Sequence, residues 1–247
     1  MPALPNKPVA RTPSALSARP LRAAALCAGL LAGCLLGTSL AQAQTAAAPA
    51  AAPKLQGLPP AGADSFKEIA ATPALLKQVR AGGYTLYLRH GPTDNAKADR
   101  TPSVDLNDCN TQRPLTDAGR QLMKQVGEHM SKAQLPVAEF FVSPMCRARE
   151  SAALAMPKLK AVVDNNLMYV ANFTDAEKAP IIANTRKLLA SPAPKGSNRL
   201  VLAHAPNLMD LIGYFPKEGT LVIFQPKGDN FEYLGSVPPS LWPSVLP

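Results

Sequence analysis

From Phe66 onward, the sequence alternates short apolar segments with stretches of helical periodicity, and this alternation is its most constraining feature. Several segments are almost continuously apolar, as expected for β-strands buried on both faces of a sheet. The pattern predicts an α/β domain with a mostly parallel sheet, and its length of about 180 residues suits a single core. The predicted strands are 84–89, 139–142, 160–163, 199–203, 220–225 and 231–234.

Two predicted helices have recognisable N-terminal signals. Thr116 is a favourable N-cap for a helix that ends near Ser131. The predicted inner face of this helix consists of Ala118, Leu122, Val126 and Met130. Thr174 and Glu177 have the spacing of a capping box for a second helix, with Pro180 as an alternative first residue.

Residues 1–43 have the pattern of an export signal. A basic stretch precedes an apolar run over 23–36, and the segment ends in the small-x-small sequence Ala41-Gln42-Ala43. The apolar run is shorter than the roughly 20 residues that a membrane-spanning helix needs. We therefore expect a periplasmic mature chain that begins near Gln44 and has no transmembrane span.

A second processing route is visible in the same segment. Gly33-Cys34 and the two residues before it also resemble a bacterial lipoprotein signal, which would leave a lipid on Cys34. Leu35 and Leu36 directly after the cysteine argue against this alternative.

The composition after the signal separates a linker from the folded domain and limits the partners. Residues 44–65 are mainly Ala, Pro, Gln and Gly and predict a linker, so the folded domain spans 66–247. The formal charge of +9 includes four cations of the predicted signal, so the mature chain is only mildly basic. Its basic residues are not interleaved with aromatic residues, which excludes nucleic acid and indicates a small anionic ligand.

Cationic and imidazole side chains follow two of the predicted strands. Arg89 ends the strand over 84–89 and His90 directly follows it, and His204 directly follows the strand over 199–203. Ligands of open parallel sheets bind outside the carboxyl ends of the strands. The sequence therefore predicts that these three side chains lie in one crevice.

A third strand end adds another arginine. Ser143 is a favourable N-cap and Pro144 a favourable first residue of a helix, which places Arg147 in its first turn. The free N–H groups at a helix N-terminus attract anions, and a guanidinium there can clamp phosphate or carboxylate. The alternative is that Arg147 only caps or solvates the helix.

These segments together resemble a known family. Leu88-Arg89-His90-Gly91 resembles the RHG signature of the histidine phosphatase superfamily, which has the phosphoglycerate mutase-like fold. Segments 143–152 and 201–204 resemble its second and third motifs, and 112–119 resembles its L-T-x-x-G helix start. The resemblance covers roughly 84 to 235. It implies a three-layer α/β sandwich whose central, mostly parallel sheet is flanked by helices.

The chemistry expected of these residues is hydrolysis of a small phosphomonoester without a cofactor. A neutral nitrogen of His90 can attack phosphorus and form a phosphohistidine that water then hydrolyses. Arg89, Arg147 and a protonated His204 would stabilise the charge on the equatorial oxygens. The resemblance makes His90 the nucleophile. The alternative is that both histidines are buried structural residues.

Further site residues are expected after the RHG segment and before the strand over 220–225. The resemblance implies a short polar phosphate contact in the neighbourhood of Thr93, Asp94 and Asn95, and Thr93 is favoured. An alkoxide leaving group needs a general acid. Glu218 is the first candidate and Asp94 the second, although Glu218 could be a solvated turn residue and Asp94 could pair with Arg113 or Arg100.

The remaining cysteines and histidine have structural interpretations. Two cysteines, Cys109 and Cys146, remain, and this even count favours a disulfide in an exported chain. That bond would tie loop 92–113 to the predicted helix that carries Arg147. Cys146 as a nucleophile is the alternative, but the Cys-x5-Arg pattern of cysteine phosphatases is absent. His129 is expected on a helix surface. No metal is expected, because the sequence has no His-x-x-x-His or Cys-x-x-Cys spacing.

The sequence therefore predicts an exported, cofactor-independent phosphatase. Within enzymes, the alternative is a protein phosphohistidine phosphatase, whose leaving group needs little acid catalysis. In a different class, the chain could be a non-catalytic anion-binding module of the cell envelope.

Overall fold

The computed structural model describes residues 66–100 and 104–246. The predicted signal over 1–43, with its lipoprotein alternative at Cys34, and the predicted linker over 44–65 lie outside the described residues. In the described part of the chain, no helix is long and apolar enough to cross a membrane.

Six strands form one mixed sheet. The strands are β1 Thr85–Arg89, β2 Val137–Val142, β3 Val162–Val163, β4 Asn198–Ala203, β5 Leu221–Pro226 and β6 Phe231–Val237. Their order across the sheet is β3-β2-β4-β1-β5-β6. The first four strands pair in parallel, whereas β5 is antiparallel to β1, and β6 is antiparallel to β5. The predicted α/β class with a mostly parallel sheet is confirmed.

Helices cover both faces of the sheet. They are α1 Pro73–Arg80, α2 Asp117–Lys132, α3 Cys146–Ala155, α4 Asp175–Ala190, α5 Ala205–Ile212 and the short α6 Trp242–Val245. Alternate side chains of β1 point to opposite faces, as the pleat requires. Leu86 and Leu88 pack with residues of α1, α2, α3 and α6. Tyr87 packs on the other face with residues of α4 and α5, which gives the three-layer sandwich.

The register of the two central strands positions the candidate site. Leu88 pairs with Leu202, and Arg89 pairs with Ala203. The next residue of each chain segment is a histidine, so His90 and His204 leave neighbouring strands side by side at the carboxyl edge of the sheet.

The buried face of α2 differs from the predicted one. Ala118 is exposed and Leu122 is only half-buried. The buried residues are instead Gly119, Met123, Val126, Gly127 and Met130. A Cβ atom at Gly119 would overlap the Pro92 carbonyl, and one at Gly127 would overlap the backbone of Ala155. The helix is therefore rotated so that its glycines approach neighbouring backbone, a contact that hydrophobic periodicity does not detect.

Two other helix starts also correct the predictions. Helix α3 begins at Cys146 rather than at Pro144, and its N-cap is Met145 instead of Ser143. The hydroxyl of Ser143 is engaged elsewhere, with His204. Helix α4 begins at Asp175 behind the predicted capping box of Thr174, so the alternative start at Pro180 is wrong.

Candidate active site

His90 and His204 form the buried centre of the carboxyl edge. Their ring centroids lie 5.1 Å apart with an interplanar angle of 62°. Both side chains are almost completely buried. The backbone N–H of His90 donates to the carbonyl oxygen of Ala203 at 3.2 Å, which extends the β1–β4 pairing to the first histidine. The structure therefore brings together the two histidines that the sequence placed at separate strand ends.

The tautomer of His90 is fixed by its neighbour. Nδ1 of His90 lies 2.8 Å from the carbonyl oxygen of Gly91. Because a carbonyl can only accept, Nδ1 carries the proton and Nε2 keeps its lone pair. Burial, followed by the charge of Arg147, lowers the pKa of His90 well below its usual value. His90 is therefore neutral near pH 7 and has a free nucleophilic nitrogen.

His204 is held from both its ring and its backbone. Its Nε2 lies 2.8 Å from the hydroxyl oxygen of Ser143, which also accepts the N–H of Met145. The hydroxyl of Tyr87 donates to the carbonyl oxygen of His204 at 2.8 Å and accepts its backbone N–H at 3.1 Å. Nδ1 of His204 has no hydrogen-bond partner among the described residues.

The charge state of His204 differs from the expected one. Burial is the largest cause of its lowered pKa, and the charge of Arg147 is the next. The protonated His204 expected from the sequence is therefore disfavoured in this structure, because a buried cation beside a guanidinium is unfavourable.

Arg147 is a completely buried guanidinium in the first turn of α3, where the sequence placed it. Its Nη1 donates to Oδ1 of Asp99 at 2.9 Å, and its Cζ lies 5.0 Å from the ring centroid of Tyr169. Within residues 66–100 and 104–246, its Nε and Nη2 have no hydrogen-bond partner. Two donors on this buried cation thus remain free for an anion.

Arg89 lies at the outer rim of the same edge. Its Nη1 donates to the carbonyl oxygen of Pro216 at 2.6 Å, and its Nη2 lies 3.6 Å from Oε1 of Glu218. The guanidinium also lies over the ring of Phe215, at 5.0 Å from the centroid. Arg89 therefore joins the buried centre to the segment that follows α5.

Thr93 and Glu218 lie next to each other, and Glu218 also lies close to Arg89. The Thr93 hydroxyl lies within 3.5 Å of Oε1 of Glu218, and the Glu218 side chain is 30% exposed. Glu218 is therefore not a purely solvated turn residue.

Asp94 is engaged locally instead. Its Oδ1 accepts the backbone N–H of Ala96 at 3.0 Å. In the described part of the chain it forms no ion pair with Arg113 or Arg100, which corrects that alternative.

Sequence reasoning missed three residues of this site. Tyr169 contacts the edge of His204, with ring centroids 5.5 Å apart. Asp99 is the partner of Arg147. Arg113 contributes charge: it is a minor cause, after burial, Arg147 and Arg89, of the lowered pKa of both histidines. Asp99 and Tyr169 carry no motif signal, whereas Arg113 was visible in the segment 112–119.

Cys109 and Cys146 form the predicted disulfide, with Cα atoms 5.7 Å apart. The bond joins a 3-10 turn over Cys109–Thr111 to the first residue of α3, directly before Arg147. Gln112 adds a second link, because its Oε1 accepts the N–H of Cys146 at 2.8 Å. With its sulfur in the disulfide, Cys146 is not a thiol nucleophile.

The third histidine lies outside the site. His129 is half-buried on α2, and its ring stacks on Trp242 with centroids 5.6 Å apart, so it is a packing residue rather than a surface one. The residues that the structure describes include no group of three or more His, Cys, Asp or Glu side chains that could hold a metal ion.

Comparison with known proteins identifies a family match over part of the domain. The model of the histidine phosphatase superfamily (branch 1) matches residues 86–177. This range includes Arg89, His90 and Arg147 and ends before His204 and Glu218. No curated protein matches the chain.

Several solved structures are similar to this chain at low identity. The protein histidine phosphatase SixA complexed with tungstate is 18% identical over 64% of this chain and 97% of its own, with a TM-score of 0.43. A mycobacterial glucosyl-3-phosphoglycerate phosphatase is 16% identical over 62% and 98%, with a TM-score of 0.44. Phosphoserine phosphatase from Entamoeba histolytica is 11% identical over 63% and 96%, also with a TM-score of 0.44.

The lowered pKa of His90 and of His204 makes the stability of the fold depend on pH. Unfolding returns each imidazole to a pKa of about 6.5, so below that pH the unfolded chain binds protons that the folded chain does not. The stability present at neutral pH is therefore lost as the pH falls below about 6.5, by at most about 1.4 kcal/mol per pH unit for each histidine. We expect urea unfolding between pH 7.5 and 5.5 to show this loss, with a smaller slope in His204→Asn. Equal slopes in the two proteins would contradict the prediction.

Proposed function

We propose that the chain belongs to the histidine phosphatase superfamily, whose model matches residues 86–177, and that it hydrolyses a phosphomonoester through a phosphohistidine on His90. The observation that carries this proposal is the bond between Nδ1 of His90 and the Gly91 carbonyl. That bond leaves Nε2 unprotonated in a buried site next to cationic side chains, which is the state that a nucleophilic imidazole requires.

The first displacement uses groups that are already in position. Nε2 of His90 attacks phosphorus, the bond to the leaving oxygen breaks, and the phosphoryl group moves to the nitrogen. Arg147 and Arg89 supply N–H donors for the equatorial oxygens, and the Nε of each, which has no partner among the residues that the structure describes, supports this role. Donors that are fixed before the substrate binds need little reorganisation during the reaction. Water then attacks the phosphohistidine and releases inorganic phosphate and free His90.

His204 completes the phosphate-binding group in this proposal. Its Nδ1 is buried and has no partner within the described part of the chain, and Ser143 contacts the other ring nitrogen. A phosphate dianion beside the ring would favour the protonated imidazole, because a nearby opposite charge raises the pKa of a histidine. His204 then changes from a neutral residue in the structure to a cationic donor when substrate binds.

Glu218 is the proposed general acid for the leaving oxygen. It lies against Arg89 and Thr93, whereas the carboxylate of Asp94 is bound to the backbone of Ala96. The cleft next to Arg89 has a volume of about 450 Å³ and is lined by Pro92, Phe215, Pro216, Lys217 and Glu218. A leaving group in this cleft would be within reach of the Glu218 carboxyl, which supports Glu218 over Asp94.

The nucleophile is tested with His90→Ala. We expect turnover of an aryl phosphate to fall by about 10³-fold or more, because the variant loses the attacking nitrogen. Wild-type protein quenched during turnover should carry acid-labile phosphate, and the variant should not. His129→Ala is the matched control, since this histidine packs on Trp242 outside the site. Turnover retained by His90→Ala would contradict the mechanism, and no turnover by wild type would favour a non-catalytic anion-binding module.

The general acid is tested with Glu218→Gln on two substrate classes. Hydrolysis of alkyl phosphates should fall by about 10²- to 10⁴-fold, because a poor leaving group needs the proton. Aryl phosphates, which have better leaving groups, should be affected much less. An equal loss on both classes would indicate a positioning role. No loss on either would favour Asp94 or a phosphohistidine substrate, whose leaving group needs no acid.

We also propose that the chain acts in the periplasm after export. The export signal predicted over 1–43 and the disulfide between Cys109 and Cys146 support this location, because disulfides persist in oxidising compartments. Mass spectrometry of the periplasmic fraction should find a chain that begins near Gln44 and has no free thiol. A lipid-modified Cys34 would instead establish the lipoprotein alternative, and a chain that keeps residues 1–43 in the cytoplasm would contradict export.

A further inference from the structure

Asp99 contacts one of the three nitrogens of the Arg147 guanidinium. Nη1 of Arg147 donates to Oδ1 of Asp99 at 2.9 Å. The Nε and Nη2 atoms are also buried, and in the part of the chain that the structure describes they have no partner. The side chain of Arg147 is 0% exposed and that of Asp99 is 10% exposed. One nitrogen of this buried cation is thus fixed by protein, and two are not.

The two free nitrogens share one edge of the planar group. A guanidinium binds phosphate most specifically when two N–H groups on one edge donate to two oxygens. In Arg147 the Nε–Nη2 edge is available for this contact, and Asp99 holds the remaining nitrogen. A carboxylate that competed with phosphate would bind the Nε–Nη2 edge. Asp99 instead binds Nη1.

The loop around Asp99 fixes its carboxylate. The same Oδ1 accepts the backbone N–H of Arg113 at 2.8 Å. The N–H of Arg100 donates to the carbonyl oxygen of Thr111 at 2.9 Å. The disulfide of Cys109 then connects this loop to the residue before Arg147. The loop that carries Asp99 and the helix that carries Arg147 are therefore joined by the disulfide between Cys109 and Cys146.

We propose that Asp99 is a positioning residue that holds Arg147 with its Nε–Nη2 edge presented to the phosphoryl group. The inference rests on the proposed phosphate site, but it concerns anion binding and does not depend on turnover. Removal of Asp99 leaves a buried cation without its acceptor, and its side chain is then free to take other rotamers. In those rotamers Arg147 no longer presents two N–H groups to the phosphoryl group, so the bidentate contact is lost.

The test measures binding of inorganic phosphate by calorimetry in the disulfide-bonded protein. Asp99→Ala should weaken phosphate binding by about tenfold, the scale of one charge-assisted hydrogen bond. Asp99→Asn keeps an acceptor of the same shape and should recover part of the affinity. Asp105→Asn is the matched control, because this carboxylate on the same loop is exposed and, among the described residues, accepts only the N–H of Asn107.

Kinetics separate positioning from general damage to the fold. For aryl phosphate, Asp99→Ala should raise KM as phosphate affinity falls, Asp99→Asn should lie between it and wild type, and Asp105→Asn should match wild type. If Asp99→Ala does not fold, Asp99→Asn decides the question through the same measurements. Unchanged phosphate affinity in the Asp99 variants would overturn the proposal, and tighter binding would show that Asp99 competes with phosphate. Wild-type protein that binds phosphate without turnover would refute the proposed catalysis but leave this test intact.

Discussion

The parallel pairing of β1 with β4 is the constraint on which the candidate site depends. Because Arg89 is opposite Ala203, the residues that follow them, His90 and His204, leave the sheet at the same height. A shift of the register by one residue would move each following side chain to the other face of the sheet. The buried apolar residues on both faces fix this register, so core packing and the spacing of the two imidazoles are one property.

That spacing is maintained against an electrostatic cost. Arg147 and two histidines share a buried region, and burial is the main cause of the lowered pKa of each of the three. Asp99 reduces the cost of burying the charge of Arg147, because the two side chains form an ion pair. The histidines avoid this cost because they are neutral. A phosphate dianion would complete the neutralisation, because it brings negative charge to donors that lack acceptors among residues 66–100 and 104–246. The same arrangement that reduces stability thus favours anion binding.

The sequence predicts the site residues that lie at strand ends or in motifs. It does not predict those whose position depends on the path of a loop or on close backbone packing. Arg89, His90, Arg147 and His204 could be placed because each directly follows a readable strand or helix start. Asp99 and Tyr169 could not be placed, because their contacts depend on loop paths that have no periodicity. The inner face of α2 was wrong because glycine contact with backbone, rather than apolar volume, orients that helix.

If the proposed function holds, the division between buried and exposed groups indicates where substrates would be distinguished. Arg147 and the two histidines are buried, so under the proposed function they would contact only the phosphoryl group, which all phosphomonoesters share. The leaving group would contact the rim instead, where Phe215 is 56% exposed beside Arg89. An exposed aromatic face next to a cation offers stacking and apolar contact with few directional hydrogen bonds. Such a rim would discriminate by shape and apolar area, and these contacts separate similar substrates less sharply than buried polar contacts do.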